Sequence, residues 1–474
     1  MSELSSVNQV RHKKIVFLVS ISFALILLSS SFSFVSFGAS PTFTPAINLS
    51  NDAGMATEPE VANNGQNVYV AWTEGGAGIF FRESPDGGVT WVPPVTSSAL
   101  KLSVSGGTSQ FPVMYTQFES VNSGDVYVAW SQSVTQANGT RVLQAFVAAS
   151  TNNGQSFVTS QLSHNSTHTQ ITPAIAAFGK NVYVAWYSAA NSTNDGSVYV
   201  SVSNNNGASW SNPTDVINPS TNGEEQIVAT GTRAYIIADG ISFTGSMNSG
   251  KTWSANMTLF SFVFSNGGAH FGREPWIAAS GLTVFTTWNA NSTATVNNQP
   301  GYQIYGRVSL DGGLTWGPNQ TISGAVNNDW EPENVAFRNN AFLTFHSLSN
   351  QGIYVTSSKR VTSNTPTWSA PSLISPTGRS SSFGHIFTSD GVNLFVMWGQ
   401  AISGGSAVWN AYVSFSSNRG TTWSSPIDIS NNAVGVAAGN QDVTLFAMSS
   451  NGAHCFAAWT FTNAGSTQIS FASS

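Results

Sequence analysis

The chain has 474 residues, of which only 8% are charged and 41% hydrophobic, with 15 Trp, 30 Phe and a formal net charge of −6. So few charges leave Asn, Ser, Thr and Gly to solvate the surface, while apolar content this high excludes an intrinsically disordered chain. The acidic balance argues against a nucleic-acid partner, which needs a basic face, and the single Cys455 excludes an intrachain disulfide or a multi-cysteine metal site.

At the N-terminus, Arg11, Lys13 and Lys14 precede an uncharged, mostly apolar run at 15–28 and a small-residue patch around 36–40. This is the three-part layout of a secretory signal. Counting Phe32, Phe34, Val35 and Phe37 brings the stretch near spanning length, so an uncleaved membrane anchor is the alternative. Either way, positive charge ahead of the segment keeps the N-terminus inside and the rest outside. Residues 1–40 are thus expected to be a signal peptide or anchor on an extracellular, secreted or surface-anchored protein, with membrane contact only through that segment. Without Glu3, Arg11, Lys13 and Lys14, 13 basic and 21 acidic residues remain, a net charge of −8. Seven Asn-x-Ser/Thr sequons (Asn48, Asn138, Asn165, Asn191, Asn256, Asn291, Asn319) fit a glycosylated exported surface, although a chain so rich in Asn and Thr forms some by chance.

From residue 43 onward the chain is repetitive. The phrase Ser-x-Asp/Asn-x-Gly-x-Ser/Thr-Trp/Phe occurs six times, at 84–91 (SPDGGVTW), 150–157 (STNNGQSF), 203–210 (SNNNGASW), 246–253 (SMNSGKTW), 309–316 (SLDGGLTW) and 416–423 (SSNRGTTW). Each copy is a tight turn. Its Asp or Asn (Asp86, Asn152, Asn205, Asn248, Asp311, Asn418) accepts backbone hydrogen bonds, the Gly supplies a positive φ, the hydroxyls tie the two arms, and the aromatic ring pins the turn to its sheet. Val-Tyr-Val-Ala-Trp stands at 68–72, 126–130 and 182–186, with looser versions at 234–238, 284–288, 342–346, 394–398 and 455–459. These β-branched and aromatic runs have strand length. The 387 residues from Trp72 to Trp459 make seven intervals of about 55, the size of a four-stranded propeller blade with its loops.

Between Trp316 and Trp423 a box is missing, but Trp368 divides the gap, so that unit keeps the aromatic and loses the turn. The last unit ends after its third strand, about 468–473, whereas 43–50 (FTPAINLS) resembles the fourth strands that follow boxes elsewhere, such as 213–218 and 426–430. The sequence therefore predicts an all-β domain at 43–474. It is an eight-bladed β-propeller of four-stranded antiparallel blades, closed by an N-terminal strand that removes open sheet edges. Seven blades is the alternative, if one unit is a hairpin insertion.

The repeated turn resembles the Asp box, or BNR repeat, of sialidases and related β-propellers. That resemblance implies a structural role for the boxes, function on the opposite loop face, and, for an active member, an exo-sialidase-like glycoside hydrolase. Such an enzyme needs an arginine triad on the substrate carboxylate, a Tyr nucleophile paired with a Glu, and an acid/base Asp. This chain departs from that pattern. No Arg-Ile-Pro stands in the first blade, the nearest phrase being Arg273-Glu274-Pro275 in a middle unit. Arg82 and Arg307 lie where a third strand enters a box, Arg233 and Arg338 lie in turns between first and second strands, and Arg273 and Arg379, with Arg141 as a third, fall on the loop face. No Tyr has a motif context that marks it as the nucleophile.

One box also matches the P-loop pattern, Gly245 through Thr252 (GSMNSGKT), but Trp253 and a strand-like run follow it where a nucleotide site needs a helix.

On the loop face, x-Glu-Pro-x recurs at the start of the innermost strand, at Glu58, Glu274 and Glu331, with Glu224-Glu225 at the matching place in another unit. Glu58, Glu225, Glu274 and Glu331 are expected near the channel mouth. They serve either as acceptors for the neighbouring blade's backbone or as a polar ring for a sugar or Ca²⁺. No full Asp-x-Asp-x-Asp-Gly calcium loop is present, so no metal site is assigned. His164, His168, His270 and His385 map to loops between blades and His346 to the end of a second strand. The candidate ligand-binding residues are Arg273, Glu274, Trp330, Glu331, Glu58, Glu225, His270, His346, His385 and Arg379, where Trp330 beside Glu331 suits a sugar that stacks and hydrogen-bonds at once. Three functions follow: a glycan- or surface-ligand-binding propeller, a sialidase-type hydrolase, or a structural envelope component.

Overall fold

The computed structural model describes residues 41–474 apart from 52–53, 105–108, 114–123, 166, 190–195, 221–223, 261, 264–268, 271–272, 297–298, 325–327, 377–380, 390, 402–408, 431–441, 453 and 464, and gives only the backbone of some strand ends. The expected leader, Arg379 and Asn191 lie outside the described residues.

Every innermost strand, here A, is followed by B, C and D in antiparallel order, so each blade is a meander. Strands A begin blades 1 to 8 at Ala56–Asn64, Ser109–Val113, Thr169–Phe178, Gln226–Thr230, Arg273–Ser280, Asp329–Phe337, Ser381–Ser389 and Asp442–Asn451. Seven blades take their fourth strand from the residues that follow their own third strand. The eighth takes Ile47–Asn48, which pairs antiparallel with strand C at Ser466–Ser473, Ile47 opposite Phe471 and Asn48 opposite Ser470. Hydrogen bonds from Thr44 N to Ser473 O (2.8 Å) and from Leu49 N to Ile469 O (2.7 Å) extend this closure. Eight blades closed by the N-terminal strand are present, as the repeat predicts.

The second phrase forms strand B. Trp72, Trp130, Trp186, Trp288, Trp398 and Trp459 are the largest fully buried side chains, packed in apolar layers between blades. Burying an indole also buries its N–H, which needs an acceptor. Glu74, Gln132 and Gln400, two residues after their Trp, accept it at 3.1–3.2 Å, and Gln170 does so for Trp186 at 2.6 Å. Cys455 is buried in strand B of blade 8, and burial pushes its thiol pKa up.

All six boxes use one set of bonds. The Ser hydroxyl accepts the N–H of the box Gly, as at Gly88 (2.7 Å) and Gly420 (2.9 Å), and the Asp or Asn Oδ1 accepts the N–H of the following Ser or Thr, as at Thr90 (2.7 Å) and Thr422 (2.9 Å). The turn needs two consecutive left-handed residues rather than one. Ahead of each Gly stand Gly87, Asn153, Asn206, Ser249, Gly312 and Arg419, all with φ of 57–76°. A box amide in each blade donates to the A–B turn of its own blade, for example Gly87 N to Gln66 O (2.8 Å) and Arg419 N to Val392 O (3.0 Å). Boxes and A–B turns therefore share one face, and B–C and D–A loops share the other. The P-loop match is an ordinary box, since Gly245 ends strand C at Ser242–Ser246 and no helix follows. In blade 6, Trp368 is half-buried against the core without a box.

Candidate functional site

Strand A starts with a bulge in most blades, and the bulge explains the Glu-Pro phrase. Register slips between Thr57 and Glu60, Ile171 and Ala174, Arg273 and Trp276, and Trp330 and Glu333. At the slips Glu58, Thr172, Glu274 and Glu331 sit at φ of 47–55°, each followed by Pro. A bulge bends the strand and re-aims its side chains, and left-handed non-Gly residues are uncommon enough to mark a selected conformation.

The re-aimed carboxylates reach the next blade. Glu224 accepts the N–H of Glu274 (3.1 Å), Glu274 accepts the N–H of Glu331 (2.8 Å) and the side-chain amide of Asn289, and Glu333 accepts the N–H of Phe387 (2.8 Å). Trp276 adds an indole bond to Asn334 O (2.9 Å). Glu58 instead accepts the Thr73 hydroxyl of its own blade (2.8 Å). The register makes Glu224 the counterpart of Glu274, because Gln226 faces Ile237 as Trp276 faces Thr287. Glu225 takes the place of the proline, only 3% exposed, with Thr172 of the preceding blade against it. A doublet of identical residues gives the sequence no way to choose between them.

Burial controls these acids. It raises Glu60 to about 8, aided by the charge of Glu58, and Glu274 to about 7, and it drives Glu225 and Glu333 well above the usual carboxylate range. Asp329, fully buried at the start of strand A in blade 6, rises to about 6.

His385 stands inside strand A of blade 7 rather than in the preceding loop, and it and His346 are each 2% exposed in the seam between blades 6 and 7. Burial lowers His346 to about 4 and His385 to about 3, the latter further lowered by His346. Neither is presented to a ligand. The backbone of His270 pairs with Phe262 in a two-residue hairpin between blades 4 and 5.

The expected residues that do come together are Arg273, Glu274, Trp330 and Glu331, at the seam of blades 5 and 6. Blade 5 supplies a long B–C hairpin, Thr283–Val296 with Gln299–Ser309, which brings a residue the sequence did not single out. Tyr302 packs on Trp330 with ring centroids 4.1 Å apart, and both rings are half-exposed. Asn328 Oδ1 accepts the Trp330 indole N–H (3.3 Å) and the Tyr302 backbone N–H (3.4 Å). Arg273 is exposed beside them and Glu331 half-buried. The only signal for Tyr302 is its place in a strand-like run alternating with the blade core, which cannot reveal how far a hairpin rises above the ring.

Arg82 and Arg307 are internal braces. Arg82, 1% exposed, donates from Nε to Leu49 O (2.9 Å) and through its two amino groups to the carbonyls of Pro93 (2.5 Å), Pro94 (2.8 Å) and Ser97 (2.6 Å). Arg307 donates to Gly317 O (2.7 Å) and Leu259 O (2.8 Å).

No family model matches the chain, and no curated protein matches it. Among solved structures the chain is similar to a protein of unknown function from Dyadobacter fermentans, at 11% identity over 92% of this chain and 99% of that one, with a TM-score of 0.41. It is also similar to Trypanosoma rangeli sialidase in complex with the inhibitor DANA, at 10% identity over 80% of this chain and 56% of that one (TM-score 0.38). A third is the Hadza microbial sialidase Hz136, at 12% identity over 85% and 72% (TM-score 0.38). The likeness stops at the fold. The chain spans little more than half the length of the T. rangeli enzyme, and its site chemistry rests on its own residues.

Proposed function

We propose that the chain is an exported, surface-exposed propeller that binds a glycan at the seam of blades 5 and 6. The carrying observation is the Tyr302–Trp330 pair, half-exposed on the loop face with Glu331 and Arg273 beside it. An aromatic surface takes the C–H face of a pyranose, while a carboxylate and a guanidinium take its hydroxyls or an acidic substituent. Glu224, Glu274 and Glu333 are bonded across seams to backbone N–H groups, whereas the aromatic platform faces a ligand. Glycan-array binding followed by calorimetry tests the reading. Trp330→Ala is expected to weaken the best glycan at least tenfold with the melting temperature kept, and no glycan bound by the wild type, or equal binding by Trp330→Ala, overturns it.

A hydrolase is the second reading, favoured by Glu274 at about 7, a value that suits a general acid near neutral pH. Turnover of fluorogenic sialosides or hexosides, abolished by Glu274→Gln, would favour it over binding alone.

A further inference from the structure

The described cations of the propeller concentrate on its box face. After the leader, twelve Lys and Arg side chains are described, and seven of them stand in boxes, A–B turns or the turn that replaces the blade 6 box. Lys180, Lys251, Arg338, Lys359, Arg360 and Arg419 are exposed there, and Arg233 is half-buried. The left-handed backbone at Arg338, Arg360 and Arg419 (φ 52–58°) holds three of them at turn tips. Of the acids on this face, Asp86 and Asp311 are bonded within their own boxes, Glu83 and Asp125 are buried, and Asp215 lies with Lys251 along a cleft between blades 3 and 4. Asp390, in the A–B turn of blade 7, lies outside the described residues. The bulge carboxylates stand at the other end of the blades.

Apolar side chains are interleaved with the cations. Leu314 is 67% exposed, and Met247, Leu282, Phe337 and Val392 are 36–42% exposed, all in turns of blades 4 to 7. A Cβ at Gly312 would meet both Met247 and Leu282, one at Gly391 would strike the Phe337 ring, and Arg338 lies over that ring at 5.3 Å, so they form neighbouring groups. The chain also leaves by this face. From Asn48 back to Thr44 it runs alongside Ser470 to Ser473, toward the end of strand C where boxes stand.

We propose that the box face docks on an anionic lipid surface, with Arg338, Lys359, Arg360 and Arg419 on the headgroups and Leu314, Met247 and Phe337 at the interface. Basic residues interleaved with exposed apolar ones are the chemistry of a peripheral membrane contact. The loop face then points away from the membrane, so this contact is independent of the glycan reading.

The ring closes within residues 41–474, so the propeller without its leader is the test protein. Co-sedimentation with phosphatidylcholine vesicles, with and without phosphatidylglycerol, is expected to show binding only to the anionic vesicles, weakening as salt is raised. The triple variant Arg338→Glu, Arg360→Glu, Arg419→Glu is expected to lose on the order of a hundredfold in partition coefficient. Leu314→Asp is expected to lose less, and the loop-end control Lys101→Glu, Arg141→Glu to lose nothing, with all melting temperatures kept. If the triple variant does not fold, Leu314→Asp with the salt titration carries the test. No binding to anionic vesicles at low salt, equal binding to neutral ones, or equal loss in the loop-end control overturns the proposal. So does binding to heparin but not to vesicles, which would make the face a site for a soluble polyanion. Trp330→Ala leaves vesicle binding intact, which separates failure here from failure of the glycan reading.

Discussion

The two ends of the blades solve the same problem, holding a strand connection in place, in opposite ways. At the box end one clasp is repeated almost atom for atom in six blades, and each copy bonds mainly to itself and to its own A–B turn. At the loop end the ties vary from seam to seam, even where Glu224 and its counterpart Glu274 both accept the N–H of the next bulge. One is tied by Glu224, one by Glu274 with Asn289 and Trp276, and one by Glu333. Bonds made within a blade can be copied unchanged, whereas bonds made between blades must adapt to the neighbour. Variable chemistry therefore collects at the loop end, and so does the candidate site.

Substitutions that separate the two ends test this contrast, and the largest effect is expected at Arg82. Arg82→Met leaves the carbonyls of Leu49, Pro93, Pro94 and Ser97 without their donor, at a cost of about 3–4 kcal/mol by calorimetry. An equal loss in Glu224→Gln would erase the distinction between a buried brace and an exposed seam tie. Ser309→Ala removes the acceptor of the Gly313 N–H and the donor to Asp311, and is expected to cost about 1–2 kcal/mol in urea unfolding.

The pH dependence of the strand A carboxylates and of the box carboxylates has opposite signs. Glu60 and Glu274 have folded pKa values of about 8 and about 7, raised from 4.5, so their contribution is fully present below pH 4.5 and is lost as pH rises toward 8. The box acids Asp86 and Asp311 are lowered from 3.8 by hydrogen bonds from Thr90, Ser84, Thr315 and Ser309, so their contribution is present above that value and is lost as pH falls below it. His346 and His385, lowered to about 4 and about 3, add to the acid side between 6.5 and those values. Melting curves from pH 3 to 9 should show Glu60→Gln flattening the alkaline limb and leaving the acid limb unchanged. The smallest effect is expected for Glu224→Gln, about 0.5 kcal/mol, because this exposed side chain makes one bond to the Glu274 N–H.

The ring was legible because its signals are local. A box is eight consecutive residues, and strand B announces itself by composition, so blade number and closure follow from counting. The site was legible only in part, because it is built across seams. Arg273, Glu274, Trp330 and Glu331 were found through one phrase repeated in two blades, yet Tyr302 joins them from a hairpin whose height no local pattern encodes. His385 was misplaced for a related reason: strand A of blade 7 lacks the Glu-Pro phrase that marks the bulge elsewhere, so its start had no landmark.

Closure by Ile47–Asn48 also sets the order of assembly. A chain emerging from its N-terminus holds these residues unpaired until Ser466–Ser473 exists, more than four hundred residues later. Seven blades can form in sequence as local meanders, but the eighth is finished only by joining the oldest segment to the newest, a contact of maximal sequence separation and therefore a slow one. Until that pairing forms, the last sheet keeps an open edge. The protein thus has a late step that reports the arrival of the eighth blade, and a product cut short of it is recognisable by the edge it leaves exposed.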